Sequence, residues 1–184
     1  MRKLTDALDR MATVRSFITA IVISAVSVAV MGFGTRTYVY DVFGDVTMPD
    51  TRLWYSYDHL LSAFSTLGPE GLQVWSQIHL LDLVFPLGYG FSLTFGILME
   101  LRRAYPENSR VKKLCLLPLI AVLADFIENT IIASQIASYP SLSQPIIAVA
   151  SFVTTTKWAI LGMSFAIVFL LLLAVGYKSV SKKE

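Results

Sequence analysis

The sequence predicts an all-α, polytopic membrane protein: a bundle of four transmembrane helices with a partly helical outer loop. Three observations predict this class. Hydrophobic residues make up 55% of the 184 residues and charged residues 15%, whereas soluble domains average about 45–50% and about 25%. The mean hydropathy is +0.63, and the apolar residues form four runs long enough to cross a bilayer. We expect one domain over residues 1–184.

Cysteine and histidine counts exclude several classes of membrane protein. The single cysteine, Cys115, excludes an internal disulfide and argues against four-span families that depend on paired cysteines. The two histidines, His59 and His79, are too few for the histidine clusters of membrane di-iron enzymes. We predict no metal and no cofactor, and the net charge of +2 gives no reason to expect a nucleic-acid partner.

The first predicted span covers residues 16–34, an uncharged run long enough to cross a hydrocarbon core of about 30 Å at about 1.5 Å per residue. A cleaved signal peptide is the alternative, because four basic residues precede the run and small residues, Gly32 and Gly34, lie near its end. The run is longer than the roughly 7–15 residues of a usual signal core, which favours a membrane helix.

Three further spans are predicted at residues 78–101, 114–137 and 145–176. Pro140 and Pro145 bracket the short link between the last two spans, which must be a tight turn between antiparallel helices. The last run has 32 residues, more than one crossing needs, so we expect it to tilt or protrude.

The placement of basic residues predicts the orientation of this integral, multi-pass protein. Four lie before the first span, five between the second and third, and three after the fourth, which is 12 of 15. The segment 35–77 carries only Arg36 and Arg52, beside five acids. By the positive-inside rule, both the N- and the C-terminus are predicted to be cytoplasmic, and residues 35–77 form an outer loop.

The outer loop, residues 35–77, has more apolar and aromatic residues than a flexible linker. Ser56 or Asp58 is placed to cap a short helix, which Gly68 ends. Pro69 suits the first turn of a helix that continues into the second span. We expect the loop to fold over the bundle as a lid; an aromatic belt at the membrane interface is the alternative.

Apart from Glu100 at the very end of the second span, four charged residues fall inside the predicted spans: Asp82, Asp125, Glu128 and Lys157. A charged side chain in a bilayer is costly unless it is paired or hydrated. All four lie in the outer half of the membrane when residues are counted from the basic ends of the spans. We predict a polar pocket there, lined by three spans, in which Lys157 neutralises one or two of the three carboxylates.

Helical spacing adds further polar and aromatic residues to this region. Asp125, Glu128 and Lys157 are the candidate acid–base residues. The candidate ligand-binding residues are His79, Asp82, Tyr89, Asn129, Thr154 and Trp158 on the spans, and Trp54 and Tyr55 on the outer loop. Pro86 and the glycines that follow it predict a kink next to Asp82, or close packing between helices.

The alternative to a pocket is an internal network of ion pairs and hydrogen bonds that fixes the register of the helices. Three acids against one lysine count against a purely structural network. Two surplus acids would leave uncompensated charge if both stayed ionised. At least one acid is therefore expected to be protonated, hydrated, or paired with His79, a ligand or an ion.

The polar residues also belong to short sequence motifs. These are Pro49-Asp50, Tyr55-Ser56, Leu67-Gly-Pro-Glu-Gly71, Asp82-Leu-Val-Phe-Pro86-Leu-Gly-Tyr89, Asp125-Phe-Ile-Glu128-Asn129 and Thr154-Thr-Thr-Lys157-Trp158. On this pattern, which covers most of the chain, the sequence resembles an uncharacterised group of small four-span membrane proteins of bacterial type. The resemblance implies the four-span architecture and brings no activity with it.

A looser similarity, by chemistry alone, is to the emopamil-binding superfamily of sterol isomerases and sigma-2-type receptors. The spans of those proteins surround acids in a sterol-sized cavity. The segment from His79 to Asp82 departs from the histidine and glutamate arrangement of that superfamily, so isomerase activity is not transferred.

Three functions stay open from the sequence. The first is an outer-half pocket that binds a lipidic or isoprenoid-sized molecule, as a receptor or as an enzyme that uses Asp125 or Glu128 for acid–base chemistry beside Lys157. The second is proton- or ion-coupled transport, whose inner path would need a homo-oligomer interface. The third is a scaffold whose polar network is architectural. The expected partner is a membrane lipid or a hydrophobic small molecule.

Overall fold

The computed structural model describes residues 2–44, 46–106 and 111–181. Within these ranges every regular element is helical, which confirms the predicted class. The helical stretches in these ranges that are long and apolar enough to cross a membrane number four, as predicted: Val14–Phe43, Tyr57–Ala104, Val111–Ser138 and Gln144–Ser181. The residues counted for the orientation that lie outside the described ranges are Asp45, Arg110, Lys182 and Lys183.

The helices are α1 (Arg2–Met11), α2 (Val14–Thr35), α3 (Asp41–Phe43), α4 (Tyr57–Leu81), α5 (Phe85–Ala104), α6 (Leu117–Ser138) and α7 (Gln144–Ser181). A π-helical turn, Arg36–Tyr40, joins α2 to α3, and a 3₁₀ turn, Val111–Leu116, leads into α6. The first span therefore extends beyond residues 16–34. The fourth, at 38 residues, begins before and ends after residues 145–176. The sequence patterns above do not predict helix α1.

Local signals in the sequence predicted α4 and its bend. Ser56 is the cap: its hydroxyl accepts a hydrogen bond from the His59 backbone N–H at 3.3 Å, and His59 Nδ1 accepts one from the Ser56 N–H at 3.2 Å. Gly68 has a φ of +59°, a left-handed conformation that favours glycine. Pro69 then begins the second part of the helix, so the outer loop is partly helical as predicted.

The second span is broken rather than kinked. The sequence predicts one helix over residues 78–101 that bends at Pro86, but α4 ends and α5 begins on either side of residues 82–84. The backbone N–H groups of these three residues donate to carbonyls three positions back, at 3.1–3.3 Å. Pro86 lies in the first turn of α5, where a helix needs no N–H donor. The turn therefore satisfies backbone groups that neither helix covers.

Helix α5 lies at the centre of the bundle, between α2, α6 and α7. Gly88 lies so close to α2 that a Cβ atom there would be 2.6 Å from the backbone nitrogen of Ser24. Gly90 is packed as closely against the side chain of Val122 on α6. The close packing predicted for this segment is confirmed. Residues 139–143 join α6 to α7 in the predicted tight turn.

The two ends of the bundle have separate apolar cores. At the end that carries the outer loop, the loop end, Phe64 packs edge to face on Trp75 and on Tyr139. At the opposite end, the terminal end, Leu8 and Ala12 join the core formed by α5 and the 3₁₀ turn before α6. Helix α1 therefore belongs to the packed bundle, and the polar residues lie between the two cores.

Candidate functional site

The charged residues of α6 and α7 meet in one buried cluster. Lys157 Nζ lies 2.7 Å from Glu128 Oε2 and 3.2 Å from Asp125 Oδ1. The side chains of Lys157, Glu128 and Asp125 are 5%, 0% and 5% exposed. The pairing predicted for Lys157 is therefore present, and it joins the two helices that pack most extensively. With both acids ionised, these three side chains carry a formal charge of −1.

Tyr89 of α5 holds the second oxygen of Asp125. Its phenol donates a hydrogen bond to Asp125 Oδ2 at 2.8 Å. Phe85 packs edge to face on the Tyr89 ring, with the ring centroids 5.2 Å apart. Because Lys157 and Tyr89 bind different oxygens of Asp125, they fix the plane of its carboxyl group. Helices α5, α6 and α7 each contribute one side chain to this arrangement.

A second polar connection joins α4 to α6. His79 Nε2 lies 3.1 Å from the backbone carbonyl oxygen of Asn129, and Asn129 Nδ2 donates to Asp82 Oδ2 at 3.1 Å. A carbonyl oxygen only accepts, so His79 Nε2 carries a hydrogen and donates it in this contact. Asp82 lies in the break between α4 and α5. Asn129 therefore ties the broken span to α6.

Residues of both polar connections, the cluster around Lys157 and the connection from His79 to Asp82, line a cavity of about 600 Å³. Its polar wall consists of His79, Asp82, Tyr89, Asp125 and Lys157. The rest of the lining is mostly apolar or aromatic and includes Val28, Trp75, Leu161 and Phe165. This volume lies in the range of about 300–1,000 Å³ typical of small-molecule sites. All four spans contribute to the cavity wall, whereas we predicted three. The part of α2 that lines the cavity carries no charged residue that could mark it in the sequence.

The loop strap, residues 48–56, covers part of the cavity, and two of its residues, Met48 and Thr51, line it. Its backbone makes one hydrogen bond with each of Ser151, Thr155 and Trp158 on α7, all at 3.0 Å. Spacings of four and three residues place these side chains on one face of the helix. Ser151 and Thr155 are not among the site residues predicted from the sequence. Their spacing of seven and three residues from Trp158 is the one signal that places them on the same helix face as a predicted site residue.

Three of the predicted site residues of the spans are buried but do not line the cavity. They are Glu128, Asn129 and Thr154. Glu128 reaches the site through Lys157, and Asn129 reaches it through Asp82. The other predicted span residues, Trp158 included, do line the cavity.

The two loop residues predicted as ligand contacts also lie outside the cavity lining. Tyr55 is buried against α7, where its hydroxyl lies 3.5 Å from that of Thr154. Trp54 is 60% exposed and packs edge to face on His59. The backbone of the strap reaches α7, whereas these two side chains lie elsewhere: Tyr55 packs on α7 and Trp54 is exposed.

The polar wall combines groups that bind and exchange protons. In the described part of the chain, His, Cys, Asp and Glu side chains form no group of three or more that could hold a metal ion. The wall offers two carboxyl groups, an ammonium, a phenol and an imidazole beside an apolar space. Such a set can hydrogen-bond the polar end of an apolar molecule and transfer protons to or from it.

Fold and site together define a polytopic α-helical membrane protein with a buried ion-pair cluster beside a largely apolar cavity. No family model, no curated protein and no solved structure matches the chain. The likeness to the group of small four-span proteins stays a prediction from the sequence motifs.

Proposed function

We propose that this protein binds a lipidic or isoprenoid-sized molecule in the cavity and exchanges a proton with it through a carboxyl group of α6. One arrangement supports the proposal: a cavity of about 600 Å³ inside a membrane bundle, with one polar wall and otherwise mostly apolar walls. A molecule of this class would bury its hydrocarbon against Trp75 and Leu161. Its polar or unsaturated end would lie against Asp82 and Asp125.

Within this proposal, Asp125 and Glu128 have different roles. Asp125 lines the cavity, so it is the carboxyl group that would give or take the proton. Glu128 is fully buried and lies 2.7 Å from Lys157, so it would hold the lysine in place. Tyr89 and Lys157 would keep Asp125 oriented while its proton moves.

Retention of a ligand through purification tests this proposal. Native mass spectrometry and lipid extraction of the protein in mild detergent should find one specifically retained molecule. Asp125→Asn should lower its retention or its conversion, because a neutral amide cannot exchange a proton. The matched control is Asp58→Asn, at an exposed acid in the first turn of α4. Absence of any specifically retained molecule would contradict the proposal.

We also propose that both termini face the cytoplasm, which places the cavity in the outer half of the membrane. The support is the asymmetry of basic residues along the sequence: 12 of 15 precede the first predicted span, lie between the second and third, or follow the fourth. Labelling of intact cells with an impermeant thiol reagent tests it. Leu53→Cys in the exposed loop strap should react, and Lys113→Cys should not. Native Cys115 is buried, so it adds little background. The reverse pattern would contradict the orientation.

A scaffold is the competing function, and one observation favours it. Lys157 contacts both carboxyl groups of α6, an arrangement that by itself stabilises the helix pair. In a scaffold, the cluster would matter for folding only. Stability and ligand content measured on the same variants separate the two functions.

A further inference from the structure

The cavity continues toward the terminal end as a groove. A second cavity of about 340 Å³ shares Val28, Tyr89 and Phe165 with the first. The rest of its lining consists of Ile21, Ser24, Ala25, Ser92 and Leu93. We call this second cavity the chain groove. Because the two cavities share three lining residues, they adjoin. We call the pair the channel: its lining is polar near the loop strap and mainly apolar in the chain groove.

The channel is as long as a lipid chain. Its lining on α2 extends from Ile21 to Thr35. Fourteen residue steps at about 1.5 Å each give about 21 Å. Half of a hydrocarbon core is about 15 Å thick. A hydrocarbon chain of ordinary membrane length would therefore fit along the channel.

The chain groove faces the lipid phase between two helices. Helices α2 and α7 both pack on α5. Because Ser92 and Leu93 of α5 line the groove between them, α5 forms its floor. The groove is bordered by Val28 on α2 and Phe165 on α7, which are 49% and 61% exposed. In a transmembrane helix, exposed apolar side chains contact lipid. A lipid could thus move sideways into the channel without crossing water.

The polar wall favours one kind of head group. The cavity lining contains two acids, Asp82 and Asp125, and one lysine, Lys157. Glu128 does not line the cavity but contacts the same lysine. An anionic head would meet this surplus of carboxyl groups. A hydroxyl or ammonium head would donate hydrogen bonds to them.

We infer that the ligand is a single-chain amphiphile with a hydrogen-bond-donating, non-anionic head, and that it reaches the site laterally between α2 and α7. Its head lies at Asp82 and Asp125, and its chain passes Val28 into the chain groove. A chain groove bounded by the three helices α2, α5 and α7 accommodates one chain. The inference rests on the proposed function and names the class of molecule that the site takes.

Photo-crosslinking in nanodiscs tests the position of the chain. Two probes are used: palmityl alcohol with a diazirine beside the hydroxyl, and palmityl alcohol with a diazirine at the chain end. The first should label peptides around Asp82 and Trp158, and the second should label peptides around Ala25 and Leu93. Equal labelling of the lipid-facing Phe152 and Phe169 by both probes would mean non-specific lipid contact and would overturn the inference.

A pair of matched substitutions on α2 tests the chain groove itself. Ala25 lines the groove, while Ala29, one turn along the helix, does not, and both are exposed. Ala25→Phe should lower the retention of palmityl alcohol by about tenfold, the loss expected when about two methylene groups are excluded. Retention of the shorter octanol should not change. Ala29→Phe should leave both values unchanged.

The possible failures are distinguishable. If neither palmityl alcohol nor octanol is retained by the unsubstituted protein, the inference fails. The proposed function fails with it only if native mass spectrometry also finds no specifically retained molecule. If both bind, but Ala25→Phe has no larger effect than Ala29→Phe, only the chain groove is wrong. Palmitate has the same chain length and an anionic head, so it should be retained less than palmityl alcohol. Equal or stronger retention of palmitate would overturn the assignment of the head group.

Discussion

Two three-residue charge clusters lie in opposite halves of the bundle, and their compositions are reversed. In the cluster nearer the outer loop, which we call the loop-end cluster, one lysine, Lys157, contacts two acids of α6. At the terminal end, one acid, Asp9 of α1, contacts Arg102 and Lys112, each at 2.7 Å. The first cluster joins the consecutive helices α6 and α7, and the second joins α1 to α5 and to the 3₁₀ turn before α6.

The clusters differ mainly in their exposure to solvent. The side chains of the loop-end cluster are at most 5% exposed, while those of Asp9, Lys112 and Arg102 are 18%, 24% and 41% exposed. An exposed ion pair contributes about 0–1 kcal/mol. Removing one partner of a buried pair costs about 3–5 kcal/mol, because a charge is left without compensation. Similar contact distances in the two clusters therefore correspond to very different energies.

The largest expected effect is that of Lys157→Met in the loop-end cluster. The substitution should lower the free energy of unfolding by about 3–5 kcal/mol, because it leaves two buried carboxyl groups without their cation. Thermal unfolding in detergent measures the loss. Lys178→Met at the exposed end of α7 is the control and should cost much less, although Lys178 donates a hydrogen bond to the Ala104 carbonyl.

A second substitution shows whether the loop-end cluster is only structural. Lys157→Met combined with Glu128→Gln should recover much of the lost stability, because it removes a buried charge that Lys157 no longer compensates. If Asp125 acts on a ligand and Lys157 positions it, the double variant should recover its fold and still fail in ligand retention or conversion. Recovery of both stability and ligand content would favour the scaffold.

Tyr89→Phe removes one hydrogen bond from the same cluster and leaves its charges in place. The expected loss is about 1.5–3 kcal/mol, the range for a hydrogen bond to a charged group. Thermal unfolding in detergent measures it. Tyr177→Phe, at a residue 77% exposed, is the matched control and should have no measurable effect. Equal effects of the two variants would mean that the phenol of Tyr89 contributes nothing to the cluster.

Ser151→Ala tests whether the loop strap is held as firmly as the charged cluster beneath it. The variant removes the acceptor for the backbone N–H of Tyr55, at an expected cost of about 1 kcal/mol. Hydrogen exchange should become faster in residues 48–56 and stay unchanged in α6. Thr156→Ala is the control, because its hydroxyl bonds only within α7, to the Phe152 carbonyl. A strap that exchanges equally in both variants would not depend on Ser151.

The smallest effect is expected at Asp9. Burial by itself raises the pKa of this carboxyl group, but hydrogen bonds from Lys112 and Arg102, together with their charges, outweigh it and hold the pKa below its ordinary value. The stabilisation is therefore fully present above about pH 4, the unfolded pKa, and is lost as the pH falls through the lower folded pKa.

Asp9→Asn measures this contribution. The variant should be less stable than the wild type by less than about 1 kcal/mol at about pH 7. The difference should shrink below about pH 4. Asp6→Asn, at an exposed acid of the same helix, should cost less still. A difference that grows on acidification would contradict the sign of the pKa shift.

Features encoded by neighbouring residues could be predicted from the sequence. Ser56, Gly68 and Pro69 are local signals for a cap, a left-handed residue and a helix start, and the structure has each of them in place. The pairing of Lys157 followed from the cost of charge in a bilayer, since a single lysine in the spans has few partners to choose from.

Features that depend on distant contacts could not be predicted. The break at residues 82–84 is stabilised by Asn129 of another helix, and Pro86 alone does not distinguish a kink from a new helix start. Helix α1 is held in part by the side chain of Arg102, which donates to the backbone carbonyl of Ala12 at 2.8 Å. The part of α2 in the cavity wall carries no charged residue that could mark it.

The link between α6 and α7 has a consequence for the biogenesis of the protein. During synthesis the two acids of α6 leave the ribosome before Lys157, so α6 entering the bilayer alone would carry both without their cation. The five residues of the link, 139–143, let α7 follow immediately. We expect α6 and α7 to leave the translocon as a paired hairpin. Lengthening the link would then lower the yield of inserted protein before it affected the folded state.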